Sequence, residues 1–251
     1  NLSVVDMKFV IVGAGATGAF LGAHLARAGA DITLVARGKH LEAMRSNGVH
    51  VRSPEGDFVA CPQCTDDLAV IREADVAFLT LKAYGLPDIA PRLSAELGPE
   101  TAVVTAQNGI PWWYFRRCDG PLEGTHLKTV DPDGVIANYI DVGRIVGCVV
   151  YPATRLVEPG VIEHVEGRRF SIGELDGART ERCQAISAAL TKAGLKCPIR
   201  KQIRDEIWLK LLGNIAFNPL SALTRATMAD IAALPEARDI ARTIMVEAES
   251  V

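Results

Sequence analysis

Residues 8–12 read Lys-Phe-Val-Ile-Val, and residues 13–18 continue as Gly-Ala-Gly-Ala-Thr-Gly. A continuous apolar run that ends in glycine is typical of a strand buried on both faces of a parallel sheet. Beyond the glycines, apolar residues recur at helical spacing as far as Gly29, and residues 31–36 form a second short apolar run. These parts together span about 30 residues, the length of a βαβ crossover. The opening of the chain therefore predicts an α/β fold.

The three glycines of this stretch have the G-x-G-x-x-G spacing of a dinucleotide-binding turn. The first glycine allows a tight turn, the second lets the backbone approach a pyrophosphate, and the third lets helix and strand pack closely. The helix N-terminus adds N–H groups and a partial positive charge that favour phosphates. The alternative is a tight strand-helix turn without a ligand. We expect the whole turn to bind a cofactor through Gly13, Ala14, Gly15, Ala16, Thr17 and Gly18.

Strands and helices continue to alternate along the chain. Apolar runs predict strands at residues 75–81, 101–106, 145–150 and 169–172, a hairpin at 49–51 and 57–60, and helices at 39–46 and 87–97. From about Arg179 the pattern is helical, at residues 181–193, 203–217, 226–234 and 236–248. The fold class is α/β, a Rossmann-type doubly wound sheet followed by an all-α C-terminal domain.

We place the domain boundary near Gly177-Ala178, which divides the chain into residues 7–177 and 178–251. The last helix shows no stop signal before Val251, so we expect the helical domain to be incomplete. Residues 1–6 lack the basic region and the cleavage site of a signal peptide.

Composition excludes several classes of protein. The 251 residues carry 27 basic and 30 acidic side chains, so the net charge of -3 offers no basic footprint for nucleic acid or for a membrane surface. No apolar run reaches the roughly 18 residues of a transmembrane helix. Without a secretory signal, six cysteines are expected to be reduced thiols, which predicts a cytoplasmic protein.

The end of the second predicted strand indicates which dinucleotide is bound. NAD sites place an acidic residue there to bind the ribose 2′-OH, but Asp31 begins the strand and so points away from the site. The strand instead ends in Ala-Arg-Gly-Lys at residues 36–39, and Arg37 and Lys39 suit a 2′-phosphate. We therefore expect NADP(H), with an ordinary solvated Arg37 as the alternative.

Two further strand ends carry polar residues, Lys82 within Leu-Lys-Ala-Tyr and Asn108 within Ala-Gln-Asn-Gly. Ligands of open α/β sheets bind outside the carboxyl ends of the strands. Either residue alone is also compatible with an ordinary loop, but their equivalent positions favour contacts in one crevice.

A polar stripe interrupts the predicted helix at residues 203–217 and continues just past it. Lys210, Asn214 and Asn218 are spaced by four residues, so they share one helix face. Burying them costs several kcal/mol, about what unpaired polar groups cost, unless they find partners. A lysine can supply a proton or a positive charge to a ketone that is being reduced. The alternative is a narrow solvent-facing stripe, which two asparagines, poor helix formers, make less attractive.

These features together resemble the ketopantoate reductase (2-dehydropantoate 2-reductase) family over the chain from about Met7 to its end. The matching residues are the glycine turn at 13–18, Arg37, Leu-Lys-Ala-Tyr at 81–84, Gln-Asn-Gly at 107–109 and the segment 210–223, which reads Lys-Leu-Leu-Gly-Asn-Ile-Ala-Phe-Asn-Pro-Leu-Ser-Ala-Leu. The resemblance implies NADPH-dependent reduction of 2-dehydropantoate to pantoate, a step towards coenzyme A, by an NADP-binding domain and a helical substrate and catalytic domain.

The resemblance also implies residue roles. Lys210 would be the catalytic lysine that polarises and protonates the ketone, and Asn108 would position cofactor and lysine. Lys210, Asn214 and Asn218 would bind the substrate. Arg37 would hold the 2′-phosphate, and Lys82 would contact the cofactor or the surroundings of the lysine.

Some alternatives remain beside this reading. The family has a later segment that supplies a serine and a glutamate to the substrate site, and no matching segment precedes Val251. Another 2-oxo acid as substrate, or a non-catalytic dinucleotide-binding sensor, is also compatible with the sequence. The partner we expect is a small 2-oxo acid, and the family's helical domain suggests a homodimer.

Weaker signals point to ordinary structure. Cys61 and Cys64 have C-x-x-C spacing, but no second pair completes a zinc site, so no metal is expected. The five histidines form no ligand pair, and the aromatic run at residues 112–115 indicates packing or a cleft wall more than a contact to ligand.

Overall fold

The computed structural model describes residues 7–250. The expectation that residues 1–6 are not a signal peptide falls outside this range. The strands are β1 (Lys8–Val12), β2 (Asp31–Val35), β3 (Val49–Arg52), β4 (Phe58–Ala60), β5 (Gln63–Thr65), β6 (Val76–Leu79), β7 (Ala102–Thr105), β8 (Ile145–Val150), β9 (Ala153–Glu158), β10 (Val161–Glu166) and β11 (Phe170–Glu174). The α-helices are α1 (Ala16–Arg27), α2 (Gly38–Asn47), α3 (Leu86–Glu96), α4 (Val135–Tyr139), α5 (Glu181–Lys192), α6 (Ile203–Thr224), α7 (Met228–Ala233) and α8 (Pro235–Glu249).

The main sheet has seven strands in the order β11-β8-β7-β6-β1-β2-β5, and only β11 runs antiparallel to its neighbour. Val12 pairs with Val35 on one side and with Leu79 on the other, and Leu79 pairs with Thr105. This register brings the carboxyl ends of four strands to one edge. The α/β fold with a parallel sheet and a helical C-terminal region is therefore confirmed.

A second sheet of four strands, β4-β3-β10-β9, was predicted only in part. The β3–β4 hairpin is confirmed, because Val49 pairs antiparallel with Ala60. The β9–β10 hairpin was missed, and β10 joins β3 in parallel, with Ile162 opposite Val51. Sequence patterns do not reveal such a pairing, since it depends on residues more than a hundred positions apart.

Helix α1 packs against β2 of the main sheet and against strands of the second sheet. All of its residues from Gly18 to Leu25 are buried, which agrees with their uniformly small or apolar character apart from His24. A Cβ at Gly22 would lie 2.3 Å from Leu34 Cδ2, so the helix approaches the sheet as closely as glycine allows. The core between helix and sheet includes Phe9, Ile11 and Phe20.

The predicted helices agree with the structure within a few residues, except that α6 was expected to end at residue 217. Instead it continues through Pro219 to Thr224 and has 22 residues. Proline removes one hydrogen-bond donor and crowds the preceding turn, which is why helices usually end before it. A helix of this length keeps its other hydrogen bonds on both sides of that position.

The described residues form two compact units that divide between Ile203 and Arg204, whereas the sequence suggested a division near Gly177-Ala178. The difference arises because helix α5 packs on β11 and the following segment runs beside that strand. Phe170 N donates to the Lys196 carbonyl (2.8 Å), and Ile172 N donates to the Pro198 carbonyl (3.0 Å). The assignment of cofactor binding and catalysis to separate domains stays a prediction.

Among residues 7–250, none of the helices combines the length and the apolar character needed to span a lipid bilayer.

Candidate functional site

The carboxyl edge of the main sheet opens into a cleft of about 940 Å³. Gly13, Arg37, Lys82 and Asn108 line it, and they follow β1, β2, β6 and β7 respectively. The aligned ends of these strands bring together residues that are far apart in the sequence. This is the place where open α/β sheets bind their ligands.

The three glycines of the turn have different surroundings. Gly13 has a φ of +90°, and a Cβ there would lie 2.5 Å from Leu81 Cδ2. A Cβ at Gly18 would lie 2.4 Å from Thr80 Oγ1, so the start of α1 packs tightly on the end of β6. A Cβ at Gly15 would meet nothing nearer than the Gly13 carbonyl at 3.9 Å. Gly15 is exposed and lines the cleft, so its backbone leaves room for a ligand to approach closely.

The N-terminus of α1 is suited to an anion. No side chain caps the first turn of this helix, and that turn contains no acidic residue. Its residues Ala16 and Thr17 also line the cleft. An uncapped helix N-terminus presents N–H groups and a partial positive charge to the cleft.

Thr80 supports the glycine turn and was not singled out from the sequence. Its Oγ1 donates to the Gly13 carbonyl at 2.8 Å, and its backbone N donates to the Val12 carbonyl at 3.0 Å. The side chain thus ties the end of β6 to the turn after β1. Thr80 lies near the end of the strand predicted at residues 75–81, and this position could have placed it at the carboxyl edge of the sheet.

At the end of β2, Arg37 lines the cleft and is exposed to solvent. Asp31 lies at the opposite end of β2, where it pairs with Lys8 in the strand register. Two carboxylates that line the cleft were not anticipated, Asp66 and Asp88. Asp88 lies in the first turn of α3. Asp66 follows β5, and its Oδ1 lies 3.4 Å from Arg45 Nη2. The pairing of β5 with β2 brings Asp66 to this edge.

The ends of β6 and β7 supply amide and ammonium groups. Lys82 and Asn108 are both exposed and both line the cleft. Gln107 also lines it, and its Nε2 donates to the Leu79 carbonyl at 2.9 Å, which connects the two strand ends. The first half of the aromatic run that follows serves as packing, since Trp112 and Trp113 are buried and Trp113 Nε1 donates to Thr105 Oγ1 at 2.8 Å.

Some residues of the cleft come from elements outside the main sheet. His40, on the first turn of α2, lines the cleft, as do Thr154 and Leu156 of β9. None of His40, Thr154 and Leu156 was singled out from the sequence. The position of His40, three residues after Arg37 on the same helix turn, is the one signal that could have identified it.

Gly18 does not line the cleft, because it packs behind the turn against Thr80 and Ile11. Lys210, Asn214 and Asn218 lie on α6, in the second compact unit, and share one face of that helix. Lys210 and Asn214 are half-buried, and Asn218 is exposed. Their roles stay predictions.

The cysteines give no sign of a metal centre. Within residues 7–250, no three or more His, Cys, Asp or Glu side chains are grouped so that they could hold an ion. Cys61, Cys64, Cys183 and Cys197 are free thiols, and burial raises the pKa of the Cys64 thiol to about 11. Cys64 is therefore a poor source of thiolate at neutral pH.

Comparison with known proteins identifies relatives over nearly the whole chain. The family model for "Ketopantoate reductase PanE/ApbA" matches residues 9–112, and the model for its C-terminal region matches residues 202–251. A 2-dehydropantoate 2-reductase of Mesorhizobium japonicum is 47% identical over 246 residues, which are 98% of this chain and 76% of that protein.

Solved structures agree with this result. A chain from Ralstonia solanacearum MolK2, provisionally assigned as a ketopantoate reductase, has 39% identity and a TM-score of 0.91, covering 98% of this chain and 76% of that one. The 2-dehydropantoate 2-reductase of Geobacter metallireducens has 28% identity and a TM-score of 0.80, covering 96% and 74%. The chain with the cleft described above therefore belongs to the ketopantoate reductase family.

Proposed function

We propose that this protein reduces the ketone of 2-dehydropantoate to the alcohol of pantoate with NADPH, the cofactor of its family. The observation that carries the proposal is the cleft at the carboxyl edge of the sheet, in which the glycine turn, Arg37, Lys82 and Asn108 meet. The relative in Mesorhizobium japonicum, named for this reaction, supports the choice of substrate.

The residues of the cleft fit NADPH. The open backbone at Gly15 and the uncapped N-terminus of α1 suit the pyrophosphate. Arg37 suits the 2′-phosphate, because its guanidinium can donate two hydrogen bonds to one phosphate. We assign Gly13, Ala14, Gly15, Ala16, Thr17, Gly18, Arg37, Lys82 and Asn108 to cofactor binding, with Gly18 acting through packing.

When bound, NADPH supplies a hydride to the carbonyl carbon of the substrate. The carbonyl oxygen then needs one proton, and we assign its delivery to Lys210. A lysine ammonium stabilises the developing negative charge and donates the proton, so that a ketone becomes an alcohol. We assign positioning of the reacting groups to Asn108, and binding of substrate oxygens to Asn214 and Asn218, whose amides donate and accept hydrogen bonds.

The proposal is tested by following NADPH absorbance after addition of 2-dehydropantoate. Turnover with pantoate as the product is expected. Oxidation of NADPH only by other 2-oxo acids would reject this substrate, and binding of NADPH without turnover of any 2-oxo acid would leave a dinucleotide-binding sensor.

The role of Lys210 gives a separate prediction. Lys210→Ala should lower kcat by about a hundredfold or more, since general acid catalysis contributes about that much. Lys210→Arg keeps the positive charge but cannot release a proton at neutral pH, so it should remain nearly as slow. The matched control is Lys192→Ala, which changes an exposed lysine on α5. Full recovery of kcat in Lys210→Arg would show that charge alone is needed.

We further infer that the protein acts in the cytoplasm and forms a homodimer. The free thiols of Cys61, Cys64, Cys183 and Cys197 suit a reducing compartment, and the family's helical domain supports the dimer. Analytical ultracentrifugation of the purified chain tests the oligomeric state, with a monomer at all concentrations as the contradicting result.

A further inference from the structure

His40 joins the glycine turn to the second sheet. Its Nε2 lies 2.8 Å from the Ala14 carbonyl oxygen, within the turn. Its Nδ1 lies 2.9 Å from the backbone N of Gly160, in the connection between β9 and β10. One imidazole thus contacts two segments that are 26 and 120 positions away in the sequence.

These contacts determine the tautomer of His40. A backbone N–H can only donate, so the Gly160 N–H requires Nδ1 to be the acceptor. The ring proton then lies on Nε2, which donates to the Ala14 carbonyl. Burial lowers the pKa of His40 below its ordinary value, which keeps the ring in this neutral form.

The connection at Gly160 is held closely in place. Gly160 has a φ of +80°, and a Cβ there would lie 3.1 Å from Ala43 Cβ on α2. The backbone N of His50 donates to the Gly160 carbonyl at 2.9 Å. The backbone at Gly160 is therefore held in place by its neighbours, and the contacts to Ala14 and to Gly160 fix the position of the His40 ring from both sides.

The same hairpin forms part of the cleft wall. Thr154 and Leu156 of β9 line the cleft, and Thr154 Oγ1 lies 3.3 Å from Thr17 Oγ1 in the first turn of α1. The hairpin therefore contacts the cofactor turn at two places, through Thr154 and through His40. Both contacts lie next to residues assigned to the pyrophosphate.

We propose that His40 is a positioning residue for the dinucleotide. It holds the Ala14 carbonyl, and with it the amides of the glycine turn, in the orientation that receives the pyrophosphate. It also anchors the β9–β10 hairpin as a wall of the cleft. The inference rests on the proposed function, because it concerns the same cofactor site. It adds a residue from outside the glycine motif and a role for the second sheet.

Two conservative variants separate the two contacts of His40. Glutamine can place an amide N–H where Nε2 lies, so His40→Gln can restore the donor to Ala14. Asparagine can place an oxygen where Nδ1 lies, so His40→Asn can restore only the acceptor for Gly160. His40→Ala removes both contacts. The matched control is His126→Gln, because His126 also contacts a backbone carbonyl, that of Asp131, but does not line the cleft.

The experiment measures the Kd for NADPH by calorimetry, the kcat and KM of turnover, and the Tm of each variant. His40→Ala should raise the Kd and the KM for NADPH about threefold to tenfold, the worth of one hydrogen bond, and leave kcat within about twofold. His40→Gln should recover most of the affinity and His40→Asn little of it. A purely structural role would lower Tm without this order of affinities.

Three results would overturn the proposal: an unchanged Kd in His40→Ala, a Gln variant no better than the Ala variant, or recovery by Asn alone. If His40→Ala fails to fold, the Gln and Asn variants still decide. A wild-type protein that binds NADPH but does not turn over 2-dehydropantoate would reject the proposed substrate, and the comparison of Kd values would still judge His40.

Discussion

Gly15 and Gly18 belong to one motif, but their side-chain positions face different surroundings. A methyl group at Gly18 meets Thr80 Oγ1 at 2.4 Å and the Gly13 carbonyl at 2.9 Å, whereas one at Gly15, which lines the cleft, meets only the Gly13 carbonyl at 3.9 Å. The close contact at Gly18 affects the stability of the fold, whereas the open space at Gly15 lets a ligand approach the backbone. Alanine substitutions at these two positions, only three residues apart, should therefore change different properties: stability at Gly18 and cofactor binding at Gly15.

Gly18→Ala should lower the free energy of unfolding by about 1–3 kcal/mol, the usual cost of overpacking. Gly15→Ala should leave this free energy unchanged or slightly higher, since Gly15 has an ordinary φ of −74° and alanine restricts the unfolded chain. It should nevertheless raise the Kd for NADPH by at least about tenfold, because the methyl group occupies the space a phosphate would take. Urea unfolding and NADPH titration measure the two quantities, and loss of stability in Gly15→Ala would contradict this assignment.

At the scale of one element, helix α1 buries a titratable residue. His24 is 6% exposed, its ring contacts Phe20 and Phe58 edge-on, and its Nδ1 lies 3.1 Å from the Ala193 carbonyl. Burial, and to a smaller extent the positive charge of Arg27, lowers the pKa of His24 from 6.5 to about 4. The folded protein therefore binds this proton less readily than the unfolded chain does.

The sign of the pH dependence follows from this shift. Between about pH 6.5 and pH 4 the unfolded chain takes up the proton and the folded protein does not, so stability falls as the pH is lowered through this range. The contribution of His24 is fully present above pH 6.5, and its loss amounts to roughly 3 kcal/mol at most. Urea unfolding at a series of pH values should show a shallower slope for His24→Phe than for the wild type. Equal slopes would mean that His24 does not carry this dependence.

At the scale of the whole molecule, ligand binding should appear as added stability. A ligand at a concentration a hundredfold above its Kd stabilises the folded state by about 2.7 kcal/mol. NADPH should therefore raise Tm more than NADH at the same concentration, because Arg37 lines the cleft and Asp31 does not. Arg37→Ala should reduce the shift with NADPH towards that with NADH. Differential scanning fluorimetry measures both, and an equal shift of the wild type with the two nucleotides would contradict the role of Arg37.

Much of the fold follows from local patterns. The apolar run before Gly13 predicted β1, the spacing of apolar residues predicted α1, and two short apolar segments predicted the β3–β4 hairpin. The predicted end of α6 at residue 217 was wrong, because a proline usually ends a helix but α6 continues through Pro219. Short strand β5, with three residues, has too few positions to show any period.

The candidate site was predicted where it depends on strand ends and missed where it depends on the second sheet. Gly13, Arg37, Lys82 and Asn108 each follow an apolar run, so the sequence alone places them at one edge. Thr154, Leu156 and Asp66 reach the cleft through pairings that no local pattern displays.

The sequence by itself determined much of the local structure of this protein: most of the strands and helices, where glycine permits a turn, and which polar side chains follow the predicted strands. These properties depend on neighbours within about one or two turns of chain. Only the tertiary structure decided that His40 contacts Gly160 and that Thr17 contacts Thr154, across 120 and 137 positions. Such contacts arise from the packing of whole elements, because burial of the apolar faces of α1 and the two sheets sets which distant residues meet.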